Sequence, residues 1–194
     1  MDKIIKMIDQ EIINSIDVKT KILNDPISLS HINSLCKRAH KTLIKGGQIL
    51  LAGNGGSASD AQHIATEFVS KFEINRRALS ARSLSTDTST ITAISNDYGY
   101  ENLFSRQLEG IAKKNDFFIG ITTSGNSKNI IKALKFCNSN GIYSACLTSS
   151  LCTKKFGKKN IIIKVPSKIT ARIQECHILI GHIMCKYIEK IIFN

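Results

Sequence analysis

No two of the six cysteines in this 194-residue chain (Cys36, Cys137, Cys146, Cys152, Cys176 and Cys185) are spaced as a CxxC pair. That absence argues against a thiolate zinc site, and the scatter through apolar or mixed surroundings fits buried, reduced thiols rather than disulfides. No apolar run approaches the ~20 residues needed to span a bilayer. The first residues, MDKIIKMIDQEI, carry acids where a secretory leader would have a basic start and an unbroken apolar core. A cytoplasmic chain with no membrane partner is the expectation. Aromatic residues are also sparse, at 6%. Only Phe156 falls within the largest basic run, Lys154-Lys155 and Lys158-Lys159, so the net charge of +12 reads as a solvated basic surface and not a nucleic-acid face. With 42% hydrophobic and 22% charged residues, one domain spanning 1–194 is expected, without repeat, low-complexity segment or linker.

What is present begins with helical periodicity. Ile5, Ile8, Ile12 and Ile16 form one stripe of an amphipathic helix over 2–23, which Asp25-Pro26 breaks. A second helix is expected over 28–45, stopped by Gly46-Gly47. Residues 1–45 thus read as N-terminal helices outside a sheet unit, and a stripe of this kind needs a partner. From residue 48 the pattern changes. Short apolar runs (48–53, 81–85, 116–121, 143–148 and 160–165) alternate with helical segments (59–72, 88–95, 126–138 and 171–191). Runs that are apolar throughout and alternate with helices predict a parallel sheet covered on both faces, an α/β sandwich.

Ligands of such sheets bind at the carboxyl ends of the strands, where two polar loops stand out. Gly53-Asn54-Gly55-Gly56-Ser57 lets backbone N–H groups approach an anion at a helix N-terminus. Thr122-Thr123-Ser124-Gly125-Asn126-Ser127 offers four hydroxyls but no lysine. A triphosphate loop would read GxxxxGK[ST], so a monophosphate is the better match. His63 and Glu67, at i and i+4, can reach one ion, though the spacing is common by chance. Gln174, Glu175, His177 and His182 in ARIQECHILIGH are further candidates, and Asn96-Asp97 fits a helix end before Gly99 equally well.

In order and spacing, GNGGSASDAQHIATEF, STDTSTITAISNDYGYENLFSRQLEG, GITTSGNSKNIIKAL and ARIQECHILIGHIMC resemble the motifs of the bacterial phosphoheptose (sedoheptulose 7-phosphate) isomerases of the sugar isomerase (SIS) fold. The resemblance covers nearly the whole chain. It implies a flavodoxin-like three-layer α/β/α domain with a five-stranded parallel sheet, a homotetramer with sites between subunits, and one zinc ion per subunit. By motif position it implies His63, Glu67, Gln174 and His182 as zinc ligands. It likewise implies Asn54, Gly55, Gly56, Asn96, Asp97, Thr122, Thr123, Ser124, Ser127, Glu67 and Gln174 as substrate contacts, and Ser57 joins them as part of the first polar loop. Glu67 and His182 are the expected acid/base pair of an aldose–ketose isomerisation.

Gln174 and His182 constrain this picture, because eight residues of continuous helix separate them by about 12 Å along the axis. Either Gln174 sits at a frayed helix start or one ligand comes from a neighbouring subunit; an intersubunit site is the expectation. Two segments depart from the family pattern: LTSSLCTKKFGKK replaces a Gly-rich turn after the fourth strand, and SKIT before ARIQE lacks an acid. The first alters a surface loop, and the second puts in doubt a carboxylate contact from that side. The rival class is a non-enzymatic SIS protein that binds the replication initiator. Such relatives lack the carboxylate and imidazole found here at Glu67 and His182. An isomerase of another sugar phosphate, such as arabinose 5-phosphate, would commonly carry regulatory domains for which no residues remain.

Overall fold

The computed structural model describes residues 2–154, 156–157 and 159–193. Lys155 and Lys158 of the basic run lie outside the described residues. Two helices, α1 (Lys3–Leu23) and α2 (Pro26–Ile44), precede the sheet. The Asp25 carboxylate caps α2 by accepting from Ile27 N and Ser28 N, with Pro26 in the first turn, so this helix begins two residues before the apolar pattern indicates.

Then follow β1 (Ile49–Ala52), α3 (Gly56–Val69), β2 (Ala81–Ser83), α4 (Thr88–Tyr98), a 3-10 turn (Tyr100–Asn102) and α5 (Leu103–Ile111). The chain continues with β3 (Phe117–Ile121), α6 (Lys128–Ser139), β4 (Tyr143–Ser149), β5 (Asn160–Val165) and α7 (Thr170–Phe193). The strands form one parallel sheet in the order β2-β1-β3-β4-β5. Sequence reading missed α5. Its apolar residues Leu103, Phe104 and Leu108 are buried and fall on one helical stripe, a signal that was there to be found.

Strand alternation builds two cores. Ile49, Leu51, Phe117, Ile119, Ala145 and Leu147 meet α2, α3 and α7 on one face. Leu50, Ala52, Phe118 and Cys146 meet α5 and α6 on the other. All six cysteines are buried and unpaired. Among the described residues no helix is long and apolar enough to cross a membrane. Helix α1 buries only Val18 and Ile22, leaving Ile5, Ile8, Ile12 and Ile16 exposed at 47–57%.

Candidate functional site

Because β1 pairs with β3, the polar loops that follow them lie side by side at the carboxyl edge of the sheet. Reciprocal amide bonds join them: Asn54 Nδ2 donates to Asn129 Oδ1 at 3.0 Å, and Asn129 Nδ2 donates to Asn54 Oδ1 at 2.9 Å. The Tyr100 hydroxyl also donates to Asn54 Oδ1, at 2.7 Å. A cavity of about 330 Å³ opens here, lined by Asn54, Tyr100, Glu101, Ser127, Lys128 and Asn129. Thr122 Oγ1 and Ser127 Oγ are 2.9 Å apart, so the hydroxyls of the first and last residues of the second loop meet. Ser149 Oγ donates to Thr123 O at 2.6 Å, and Ser124 Oγ accepts from Asn126 N at 3.1 Å.

Sequence reading missed Tyr100, Asn129 and Lys128. The last supplies, one residue past the hydroxyl loop, the cation that loop lacks. In the first loop Gly55 has φ of +55°, which turns the chain directly into α3, and Ser57 is buried in its first turn. Asn96 and Asp97 are exposed at the end of α4, and the one side-chain bond between them runs from Asn96 Nδ2 to Asp97 Oδ1 at 2.8 Å.

A second group forms where α3 and α7 run parallel. Gly56 meets Gln174, Ile64 meets Gly181, His63 meets His182, and Glu189 accepts from Phe72 N. A Cβ on Gly181 would stand 2.5 Å from Ile64 Cδ1, so glycine is what permits this approach. His63 Nε2 lies 3.0 Å from Glu67 Oε1 and 3.4 Å from His182 Nε2. The ligand atoms of these three residues all lie within 4.8 Å of one another. Two nitrogens bound at 2.0–2.1 Å to a tetrahedral ion stand about 3.3 Å apart, so the donor set fits a divalent metal.

Gln174 stands about 12 Å back along α7 from His182. It lies in the second turn of α7, its amide against Gly56, where a Cβ would come within 2.2 Å of Nε2. The frayed-start alternative is thereby excluded. Asp60, one turn before His63, has an unpartnered buried Oδ2; burial pushes its carboxyl up to about 6 against the opposing pull of His63.

The C-terminal end of α3 is held by a network that sequence reading also missed. Arg76 donates to the carbonyls of Glu67 and Phe68, each at 2.7 Å, and to Glu189 Oε1 at 2.8 Å. Glu189 also accepts from the backbone N–H groups of Phe72 and Glu73, both at 2.8 Å. Burial opposes ionisation of Glu189, but these hydrogen bonds prevail and hold its carboxyl below the usual range. The network thus fixes the backbone that carries Glu67 against the helix that carries His182.

Residues 21–149 match the SIS domain family. The chain is 53% identical over 187 residues to the phosphoheptose isomerase of Aneurinibacillus thermoaerophilus, covering 96% of this chain and 94% of the relative. It is 51% identical over 181 residues to phosphoheptose isomerase 2 of Campylobacter jejuni, covering 93% and 90%. The solved phosphoheptose isomerase of Neisseria gonorrhoeae superposes with a TM-score of 0.90 at 35% identity, covering 97% of this chain and all of that one.

Proposed function

Because the chain belongs to the SIS domain family and groups with its phosphoheptose isomerases, we propose that it converts D-sedoheptulose 7-phosphate to D-glycero-D-manno-heptose 7-phosphate, the entry to ADP-heptose synthesis. The observation that carries this reading is the meeting of Glu67 with His63 and His182 where α3 packs on α7. Thr122, Ser124 and Ser127, with backbone N–H groups at the start of α6 and the Lys128 ammonium, hold the phosphate. Asn54, Gly55, Gly56 and Ser57 line the sugar's path, with Thr123, Asn96 and Asp97 as further contacts.

Once the sugar chain is open, Glu67 takes the proton from C1 and the electron pair forms the enediol double bond as the C2 oxygen gains a proton. Glu67 then returns its proton to C2, and the loss of the O1 proton leaves the aldehyde at C1. His182 passes the proton between the two oxygens. His63, Glu67 and His182 hold one zinc ion per subunit, which when bound supplies Lewis acidity at the sugar oxygens. His63 also touches Glu67 Oε1, which leaves Oε2 as the freer oxygen for proton transfer.

Gln174, about 12 Å along α7 from His182, serves the site of a neighbouring subunit as zinc ligand and substrate contact. Such sites require an oligomer, and the family resemblance makes it a homotetramer. A single SIS domain over residues 1–194 working in the cytoplasm fits the buried free thiols. The rival reading, a partner of the replication initiator, has no use for the Glu67 and His182 pair.

A coupled assay with sedoheptulose 7-phosphate tests the proposal. Glu67→Gln lowers turnover at least about 100-fold, and stripping metal abolishes turnover until zinc is restored. Absence of turnover from folded, zinc-loaded wild-type protein would move the chain to the binding-protein class.

A further inference from the structure

The opposite edge of the sheet carries a second concentration of chemistry. Tyr143 and Asn160 open β4 and β5, so they stand at the amino ends of the strands, about 20 Å from the substrate loops across the seven residues of β4. A cavity of about 330 Å³ there is lined by Ser34, Lys37, Arg38, Lys41, Tyr143, Lys159, Asn160 and Ile161. A second hollow of about 150 Å³ shares Arg38, Lys41 and Tyr143 and adds Lys45 and Lys114. Six cations therefore ring one concave surface.

Among the described residues none of the six lies within ion-pairing distance of a carboxylate. The nearby acid, Asp116, is buried and already accepts from Gln48 N, Gln48 Nε2 and Lys113 N. Lys37, Arg38, Lys41 and Lys45 follow one face of α2 at helical spacing, where like charges repel and cost stability. Two of the six are nonetheless fixed in place. The Arg38 guanidinium stacks 3.4 Å from the centroid of the Tyr143 ring, and Lys159 Nζ donates to Gly141 O at 3.3 Å. Six cations facing a hollow without counter-charge, with the Arg38 guanidinium held on the Tyr143 ring, make an anion receptor.

We propose that this edge is a second binding site, separate from the substrate site, for a small polyphosphorylated anion: condensed phosphate or the phosphate tail of a nucleoside triphosphate. The concave volume limits the ligand to a few phosphates, in contrast to an extended groove that tracks a nucleic-acid strand. Tyr143 already receives Arg38 on its ring, so the site reads phosphate and leaves a base unstacked. Tripolyphosphate and ATP are thus expected to bind alike, and adenosine not at all.

Isothermal titration of the intact protein with tripolyphosphate at low salt tests this, with ATP, adenosine and a short oligonucleotide as parallel arms. Saturable binding is expected that weakens as salt rises and falls at least about tenfold in Lys41→Glu and in Lys159→Glu. Both variants keep isomerase activity, and sedoheptulose 7-phosphate does not displace the anion. No saturable binding at about 1 mM overturns the proposal. So does binding lost in Ser127→Ala but kept in both lysine variants, since the anion would then occupy the substrate site. Tighter binding of the oligonucleotide than of tripolyphosphate would overturn it in favour of a nucleic-acid surface. The titration needs no turnover, so its outcome is independent of whether the chain isomerises a heptose.

Discussion

His177 and His182 share one helix, and only the fold separates their roles. Five residues turn α7 by about 140°, so His182 faces α3 while His177 is fully buried beneath the end of β4. His177 Nε2 bonds Thr148 O at 3.1 Å, and neither His177 Nδ1 nor Thr148 Oγ1 has a partner. Burial pushes the imidazole down to about 4, against a smaller opposing effect of the Thr148 bond. Above the ordinary value of 6.5 the ring is neutral whether folded or unfolded, and stability is intact. As pH falls from there towards 4 the unfolded chain binds the extra proton, and about 3 kcal/mol of stability drains away. Urea unfolding at a series of pH values should therefore show a steeper acid loss in wild type than in His177→Gln. Equal slopes would remove His177 as the cause. The sequence ARIQECHILIGH marks both histidines as candidates, but which one meets His63 depends on how α7 is rotated against α3.

Helix α3 and helix α7 form the pair on which the site depends. Their parallel approach rests on Gly181, where Ala would drive Cβ into the Ile64 side chain. Gly181→Ala should cost about 1–3 kcal/mol in urea unfolding. It should also weaken zinc binding, measured by competition with a chelator, because His182 moves with α7. Unchanged metal affinity would show that the pair tolerates the shift. At the other end Arg76 and Glu189 are both almost wholly buried. Glu189→Ala takes the acceptor away from Arg76 Nε and from the backbone N–H groups of Phe72, Glu73 and Ile74, so a loss of about 3–5 kcal/mol is expected. Glu189→Gln, which can still accept, should lose less. Alternating apolar runs and polar loops made the sheet and the 53–57 and 122–127 loops readable from sequence, since each is a local pattern. Arg76 with Glu189, and Asn54 with Asn129, are pairings between distant segments, and no local pattern announces either pairing. They become visible only once parallel packing brings the elements together.

At the scale of the whole molecule, α1 is the part a single chain leaves unfinished. From Glu11 onward it is tied down: Ser15 donates to Glu175 at 2.6 Å, and Arg172 pairs with Glu11 and with Glu175. These polar ties fix the direction of the helix while Ile5, Ile8, Ile12 and Ile16 face outward. Burying each such side chain against a neighbour is worth about 1.5–3 kcal/mol, so a continuous stripe of four would drive the proposed association. Lys19 and Lys21 near the helix end have Glu175 and Asp17 as partners, and the isoleucine stripe stays open. Ile8→Glu with Ile12→Glu should therefore split the proposed tetramer without unfolding the α/β unit, which buries only Val18 and Ile22 of this helix. Light scattering behind a sizing column would show wild type at four times 21.4 kDa and the double variant at a lower mass, with helical circular dichroism retained. If Gln174 serves a neighbouring site, isomerase activity falls with the mass, and zinc affinity falls with it although His63, Glu67 and His182 are untouched. A dissociated variant that still binds zinc and turns over substrate would place the whole site within one chain.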